Sequence, residues 1–397
     1  MKIVFLAPFG IRPKGTVLAR MLPLAVELQA LGHTVTIVAP PYTNPDDSGK
    51  TELLSGVRLV NVSLPAGGKL AGTLPLAYRM FRGMGEEQPD LVHLFKPKGY
   101  GGLAAMWQIT LQRLGVRLPP LLVDSDDREG KGGMNDLHSY SWPEKKLFAF
   151  QEQWLSRHAR GITVASRELE RLTIAMGVPS QRLHYLPNCV AASRPGDGQA
   201  LRRHLGIAVD SPLLVLYTRF FEFSQQRLHR VLAGIYQAFP TVRFLVVGQG
   251  KQGEEQQLLA AARTLGFDAA LVMAGWVEPR QIPDYLAAAD LAIYPLDDTL
   301  INRAKCPAKL TELLVAGLAV VADRVGQAEE YIRDGVSGIL TDPQQPEQMV
   351  AGVVRLLREP DLAVRYAAEG KRQMLKGFNW REAAQSLDQF YRSVINS

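Results

Sequence analysis

A chain of 397 residues is too long for one ordinary hydrophobic core, so two domains of comparable size are expected. With 47% hydrophobic and 21% charged residues it reads as globular; two cysteines, Cys189 and Cys306, far apart and in no metal spacing, exclude a disulfide framework and suit a reducing, cytoplasmic setting. Lys and Arg number 45 against 39 Asp and Glu, giving +6 and a pI near 9.2, which fits an anionic ligand or headgroup, while the lack of a basic run with interleaved aromatics argues against nucleic acid.

The apolar run 3–11 is broken by Pro8 and Gly10 and reads as a first strand rather than a signal core. No stretch approaches the roughly 20 apolar residues that span a bilayer. Strand-like runs at 2–7, 34–39, 58–63, 91–94, 121–123, 162–165 and 184–186 alternate with helical ones. The rhythm resumes at 213–217, 243–247, 271–274, 291–294, 319–322 and 338–340. Buried parallel strands joined by helices produce this pattern, so the expected fold class is α/β, with two doubly wound, Rossmann-like domains. The boundaries fall at 1–190 and 212–375, with a linker over 191–211, in a stretch rich in Pro, Gly, Ala and Ser. A last helix over 376–397 carries Trp380, Ala383, Leu387, Phe390 and Tyr391 at helical spacing.

Ligands of open parallel sheets lie beyond the carboxyl ends of the strands, so the loops there carry the candidate chemistry. After the first strand come Gly10 and Gly15-Thr16, where bare backbone suits an anion and a plain turn is the equal alternative. Segment 69–82 sets Lys69, Arg79 and Arg82 among apolar residues and has two readings, a helix touching a membrane surface or one packed on the sheet. Gly72 and Pro75 favour the second. His93, Lys96 and Lys98 end one strand and Asp124-Ser-Asp126-Asp127 another. Asp126 or Asp127 is a candidate to accept a hydrogen bond from an acceptor hydroxyl, level with a capped-loop reading, and no metal site is expected.

In the second half Arg219 follows the first strand, and a guanidinium there suits phosphate oxygens. Gly248-Gln-Gly250-Lys-Gln-Gly253 is formally a dinucleotide fingerprint. Glu254 and Glu255 follow at once, where the helix amides would have to receive a pyrophosphate, so neither nicotinamide nor flavin is expected. From Cys306 to Ala322 the chain reads Cys-Pro-Ala-Lys-Leu-Thr-Glu-Leu-Leu-Val-Ala-Gly-Leu-Ala-Val-Val-Ala. Pro307 and Gly317 bracket a short helix on which Lys309 and Glu312 share a face opposite Leu310 and Leu314. As a plain surface pair they contribute a few tenths of a kcal/mol, roughly.

Pro-x-Lys-x-x-Glu, a small residue, Gly and an apolar strand together resemble the donor-site signature of glycosyltransferase family 4, and the likeness extends over nearly the whole chain. It implies a GT-B arrangement, two Rossmann-like domains facing a central cleft, with the final helix crossing back to the first. It also implies a retaining transferase that moves a hexose-like sugar from a UDP- or GDP-sugar, without metal or other cofactor. The donor would bind the second domain; a carbohydrate, lipid-linked or small-molecule acceptor would bind the first, with peripheral membrane contact possible and the oligomeric state left open. By the resemblance Glu312 grips the ribose, Arg219 and Lys309 hold the diphosphate, Gly248 and Gly250 form the family's second glycine loop, Trp276 and Val277 meet the base, and Gly15 lies in the family's first glycine turn. Two departures stand out. Ser224 and Gln225 replace a phosphate-binding lysine, leaving Arg227 or Lys309 to supply the cation, and Ala304 stands where the first of two paired glutamates is usual. Asp297, Asp298, Arg303 and Lys305 are the nearby substitutes. The alternative is a weak or inactive sugar-nucleotide-binding regulator.

Overall fold

The computed structural model describes residues 1–12, 15, 17–66, 69–191 and 194–396, the side chains of Lys69 and Leu70 aside; Thr16 lies outside the described residues. Contacts divide the chain into two units, one of Met1–Asn188, Ala304–Cys306 and the stretch from Trp380, the other of Cys189–Arg303 and Pro307–Asn379.

The first unit is built on eight strands, β1 (Lys2–Leu6), β2 (Thr34–Ala39), β3 (Thr51–Leu54), β4 (Val57–Asn61), β5 (Leu91–Phe95), β6 (Leu121–Ser125), β7 (Gly161–Val164) and β8 (Leu183–Tyr185). Their order is β3-β4-β2-β1-β5-β6-β7-β8. All neighbours are parallel except β3 and β4. The central strands are buried almost throughout and mainly apolar because helices cover both faces, with His93, Asp124 and Thr163 as buried polar exceptions. Edge strand β3 escapes the sequence reading: in Thr-Glu-Leu-Leu exposed and half-buried residues alternate, and none is fully buried. It turns into β4 through Ser55-Gly56, both at positive φ (49° and 82°), as a two-residue hairpin turn requires.

Helix Lys69–Glu86 sends Leu76, Met80 and Met84 into the core beside Val4, Leu6 and Val92, in line with the sheet-packed reading. Helix Trp380–Asn396 also belongs to this unit. Its Tyr391 hydroxyl meets His93 Nδ1 at 2.7 Å, and Phe390 stacks on His184, so His93 serves the packing of this helix.

The second unit has six parallel strands, β9 (Leu213–Tyr217), β10 (Arg243–Val247), β11 (Leu271–Gly275), β12 (Leu291–Tyr294), β13 (Ala319–Asp323) and β14 (Ile339–Thr341), ordered β11-β10-β9-β12-β13-β14. The stretch expected as a linker, 191–211, is part of this unit. Its helix Gly198–His204 is held by Arg202, which donates to the Ala288 carbonyl (2.7 Å) and to Asp290 (2.8 Å). Among the described residues no helix is long and apolar enough to cross a membrane.

Candidate functional site

The carboxyl end of β9, in the middle of the second sheet, gathers most of the residues singled out by sequence. Tyr217 ends the strand; Thr218 and Arg219 begin the loop. Thr218 Oγ1 accepts from the Phe220 amide (2.8 Å), and Phe220 takes a left-handed φ of 67° so that its ring reaches the core. Arg219 thereby stays at the surface, its guanidinium over the Phe221 ring (4.7 Å) and 3.6 Å from Glu222. Ser224 caps helix Gln225–Ala238, and Gln225 donates to the Phe220 carbonyl. The two residues at the missing lysine's place therefore build the loop.

Helix Ala308–Ala316 runs from Pro307 to Gly317, which closes it at a φ of 81°. Leu310, Leu313 and Leu314 are buried beneath, and the opposite side presents Lys309 and Glu312. Lys309 Nζ lies 3.3 Å from the centre of the Tyr217 ring, and the Tyr217 hydroxyl and the Glu312 carboxylate act on each other electrostatically. Glu312 is open to solvent, yet protein atoms gathered around it thin its hydration. That desolvation raises its pKa above the ordinary glutamate range, opposed by the Lys309 charge and the Tyr217 hydroxyl. Lys309, Glu312 and Tyr217 thus form one contact group.

Arg227 is placed differently from the sequence expectation. It is buried, and its guanidinium is engaged by Asp323 (2.7 Å) and Asp297 (3.1 Å), so its charge is neutralised inside the unit rather than offered to a phosphate. Asp298 pairs with Arg303 at 2.8 Å. Ala304 and Lys305 belong to the first unit, where Ala304 is buried with Ile162, Val164 and Leu169, an apolar setting at the position where the resemblance leads one to expect a carboxylate.

The glycine loops of the second unit sit on neighbouring strands. The Gly248 amide donates to the Gly275 carbonyl (2.7 Å), tying the ends of β10 and β11. Gly248 has a φ of 127°, and a methyl group there would run into the Thr218 carbonyl oxygen. Gly248→Ala is expected to lower stability by about 1–3 kcal/mol, read as a drop in melting temperature; an unchanged melt would show that the loop gives way freely. The Gly250 amide donates to Glu255 (2.8 Å) and the Gln252 amide to Glu254 (2.6 Å). Beyond β11, Trp276 is exposed (62%) and Val277 is buried.

In the first unit, Asp126 and Asp127 are both gripped by Lys96 (2.6 Å each), whose own backbone takes a φ of 61°. Burial pushes the Asp126 carboxyl up to about 6 against the pull of Lys96. Lys98 is bound to Glu129 at 2.6 Å. The segment after Asp127 is tied down by Glu152, which accepts from the amides of Glu129 and Gly130 and pairs with Arg128. Asp124 has a partner that spacing does not reveal: Arg20 donates to both of its oxygens at 2.8 Å, with both groups buried. Gly15 sits in the turn before helix Leu18–Ala30, its carbonyl accepting from the Ala19 amide. Among the described residues no group of three or more His, Cys, Asp or Glu is placed to hold a metal ion.

Two α/β units, each on a doubly wound parallel sheet, define the GT-B class of glycosyltransferase folds. The chain belongs to the glycosyltransferase 4-like family: residues 15–189 match the profile of the glycosyl transferase 4-like domain and 212–359 that of the glycosyl transferases group 1. It is 27% identical to a D-inositol 3-phosphate glycosyltransferase of Acidothermus cellulolyticus, over 59% of this chain and 53% of that relative. It is 24% identical to a GDP-mannose-dependent alpha-(1-6)-phosphatidylinositol monomannoside mannosyltransferase of Mycolicibacterium smegmatis, over 88% and 87%. The chain spans about half the length of the curated relatives that match first. Among solved structures, HepE of Anabaena in complex with UDP and glucose superposes with a TM-score of 0.73 at 19% identity, covering 99% of this chain and 100% of HepE.

Proposed function

We propose that this protein is a retaining glycosyltransferase that moves a hexose-like sugar from a UDP- or GDP-sugar to an acceptor hydroxyl without a metal. The observation that carries the reading is the group at the end of β9: an ammonium and a carboxylate fixed together on one helix, with an arginine held at the surface two residues past Tyr217. Glu312 accepts from the ribose hydroxyls. Lys309 and Arg219 face the diphosphate, whose charge grows as the bond to the sugar breaks, so fixed cations here stabilise the transition state more than the ground state. Trp276 and Val277 line the base. UDP is favoured by the fold likeness to HepE, and the GDP-mannose-dependent relative keeps GDP in the panel.

Thermal shift against UDP, GDP, UDP-glucose and GDP-mannose tests the reading, because a ligand at about 100 times its Kd adds roughly 2.7 kcal/mol of apparent stability. No shift with any of them removes it. Arg219→Ala is expected to weaken UDP or GDP about tenfold while leaving the free nucleoside unaffected, by isothermal titration. Equal losses for both ligands would assign Arg219 to the loop alone. A second reading, binding without turnover, is favoured by the apolar burial of Ala304 and the loop-building roles of Ser224 and Gln225. Sugar release or transfer by the purified protein removes it.

A further inference from the structure

The family motif contains Lys309 and Glu312 but leaves out the side chain that touches both. Tyr217 is the last residue of an otherwise aliphatic strand, Leu-Leu-Val-Leu-Tyr, and its half-buried ring emerges at the sheet's carboxyl end. The strand fixes the ring, and the ring lies under the Lys309 ammonium at 3.3 Å. The quadrupole of an aromatic face attracts a cation at this distance, and a long lysine gains a preferred place it would lack on an open helix. Glu312 follows Lys309 by three residues on the same helix, so it lies on the side of the ring where the phenol acts on its carboxylate.

We propose that Tyr217 is a positioning residue of the donor site: its ring holds the Lys309 ammonium toward the diphosphate and its hydroxyl holds the Glu312 carboxylate toward the ribose. The proposal rests on the donor reading above and adds the residue that keeps the two parts of the motif in register. A carboxylate has about four lone-pair positions, so the one taken by Tyr217 leaves room for two ribose hydroxyls. The phenol is its ring's only donor and stays protonated, because burial and the neighbouring carboxylate push its pKa up. The charged and titratable groups acting on Glu312 among the described residues are Lys309 on its own helix and Tyr217 on β9, with Arg219 acting on Tyr217 in turn.

Two variants separate the two roles. Tyr217→Phe keeps the ring and removes the hydroxyl; Tyr217→Leu removes both. With the full chain, UDP, GDP, uridine and guanosine are titrated from acid to neutral pH, beside Glu312→Gln. Tyr217→Phe is expected to weaken nucleoside and nucleotide alike by about tenfold, the size of one hydrogen bond to a charged group. It is also expected to move the acid limb of binding to higher pH, since the hydroxyl no longer stabilises the ionised carboxylate. Tyr217→Leu adds a loss confined to the diphosphates. A merely structural tyrosine would not move the acid limb in the Phe variant. If the wild type binds and Glu312→Gln does not, but Tyr217→Phe keeps the wild-type affinity and pH profile, Tyr217 has no positioning role and the donor reading stands. A wild type that binds none of the four ligands ends the donor reading and this inference together.

Discussion

Glu312→Gln is expected to weaken UDP or GDP by about 10- to 100-fold with the melting temperature close to that of the wild type. The side chain is exposed and its partners are Lys309 and Tyr217, so an amide of the same shape disturbs no core packing. What changes is the acceptor. Each hydrogen bond to a charged group contributes about 1.5–3 kcal/mol, and an amide offers one weaker oxygen and a donor that opposes a hydroxyl. The pH dependence has a fixed sign. Desolvation raises the Glu312 pKa, so the ionised, binding form is lost as pH falls through a value above the ordinary glutamate range. Binding of the wild type is therefore expected to decline earlier on acidification than an unperturbed carboxylate would, whereas the Gln variant shows no such limb. Titration calorimetry across pH reads both effects. Unchanged affinity for both nucleotides would take Glu312 out of the donor site.

The largest stability effect is expected in the other unit. Asp124→Ala leaves the buried Arg20 guanidinium without its carboxylate, and removing one partner of a buried ion pair costs about 3–5 kcal/mol. At roughly 2–4 °C per kcal/mol for a unit of this size, melting falls by about 6–20 °C. The hydrogen bonds of Arg20 to Asn188 and to the Leu186 carbonyl remain but do not neutralise the charge. Burial pushes the Asp124 carboxyl up, but the Arg20 charge and hydrogen bonds override this and hold it below the ordinary aspartate range. Its contribution is thus present above the unfolded pKa and is lost as pH falls through the folded one. The paired change Arg20→Met with Asp124→Leu is expected to recover much of the loss, because an apolar pair of similar volume carries no desolvation cost. A melt for Asp124→Ala within 2 °C or so of the wild type would show the pair to be incidental.

The sheets were legible because their central strands are buried on both faces and so read as mainly apolar runs. The edge strand Thr51–Leu54 was not, since a half-exposed strand of four residues carries no comparable pattern. Lys309 and Glu312 were legible because three residues on a capped helix fix which side chains are neighbours. Arg20, Arg227 and Tyr217 were not, for a shared reason: each meets partners across the fold. Asp124 lies 104 residues from Arg20 and Asp323 96 residues from Arg227. A local reading sees a spare cation where the folded chain has already neutralised one. The loop at Lys96 shows the same difference, because the acids after β6 that looked free for a substrate are each in contact with a buried ammonium.

The loop after β10 fills its own amide sockets with the carboxylates of Glu254 and Glu255. A pyrophosphate arriving there would have to evict two anions that are covalently part of the chain and cannot diffuse away. NADH and its relatives should therefore leave this protein undisturbed at concentrations that saturate true fingerprint loops. The same stretch of backbone that mimics a dinucleotide site in sequence acts in the folded chain as a built-in inhibitor of one.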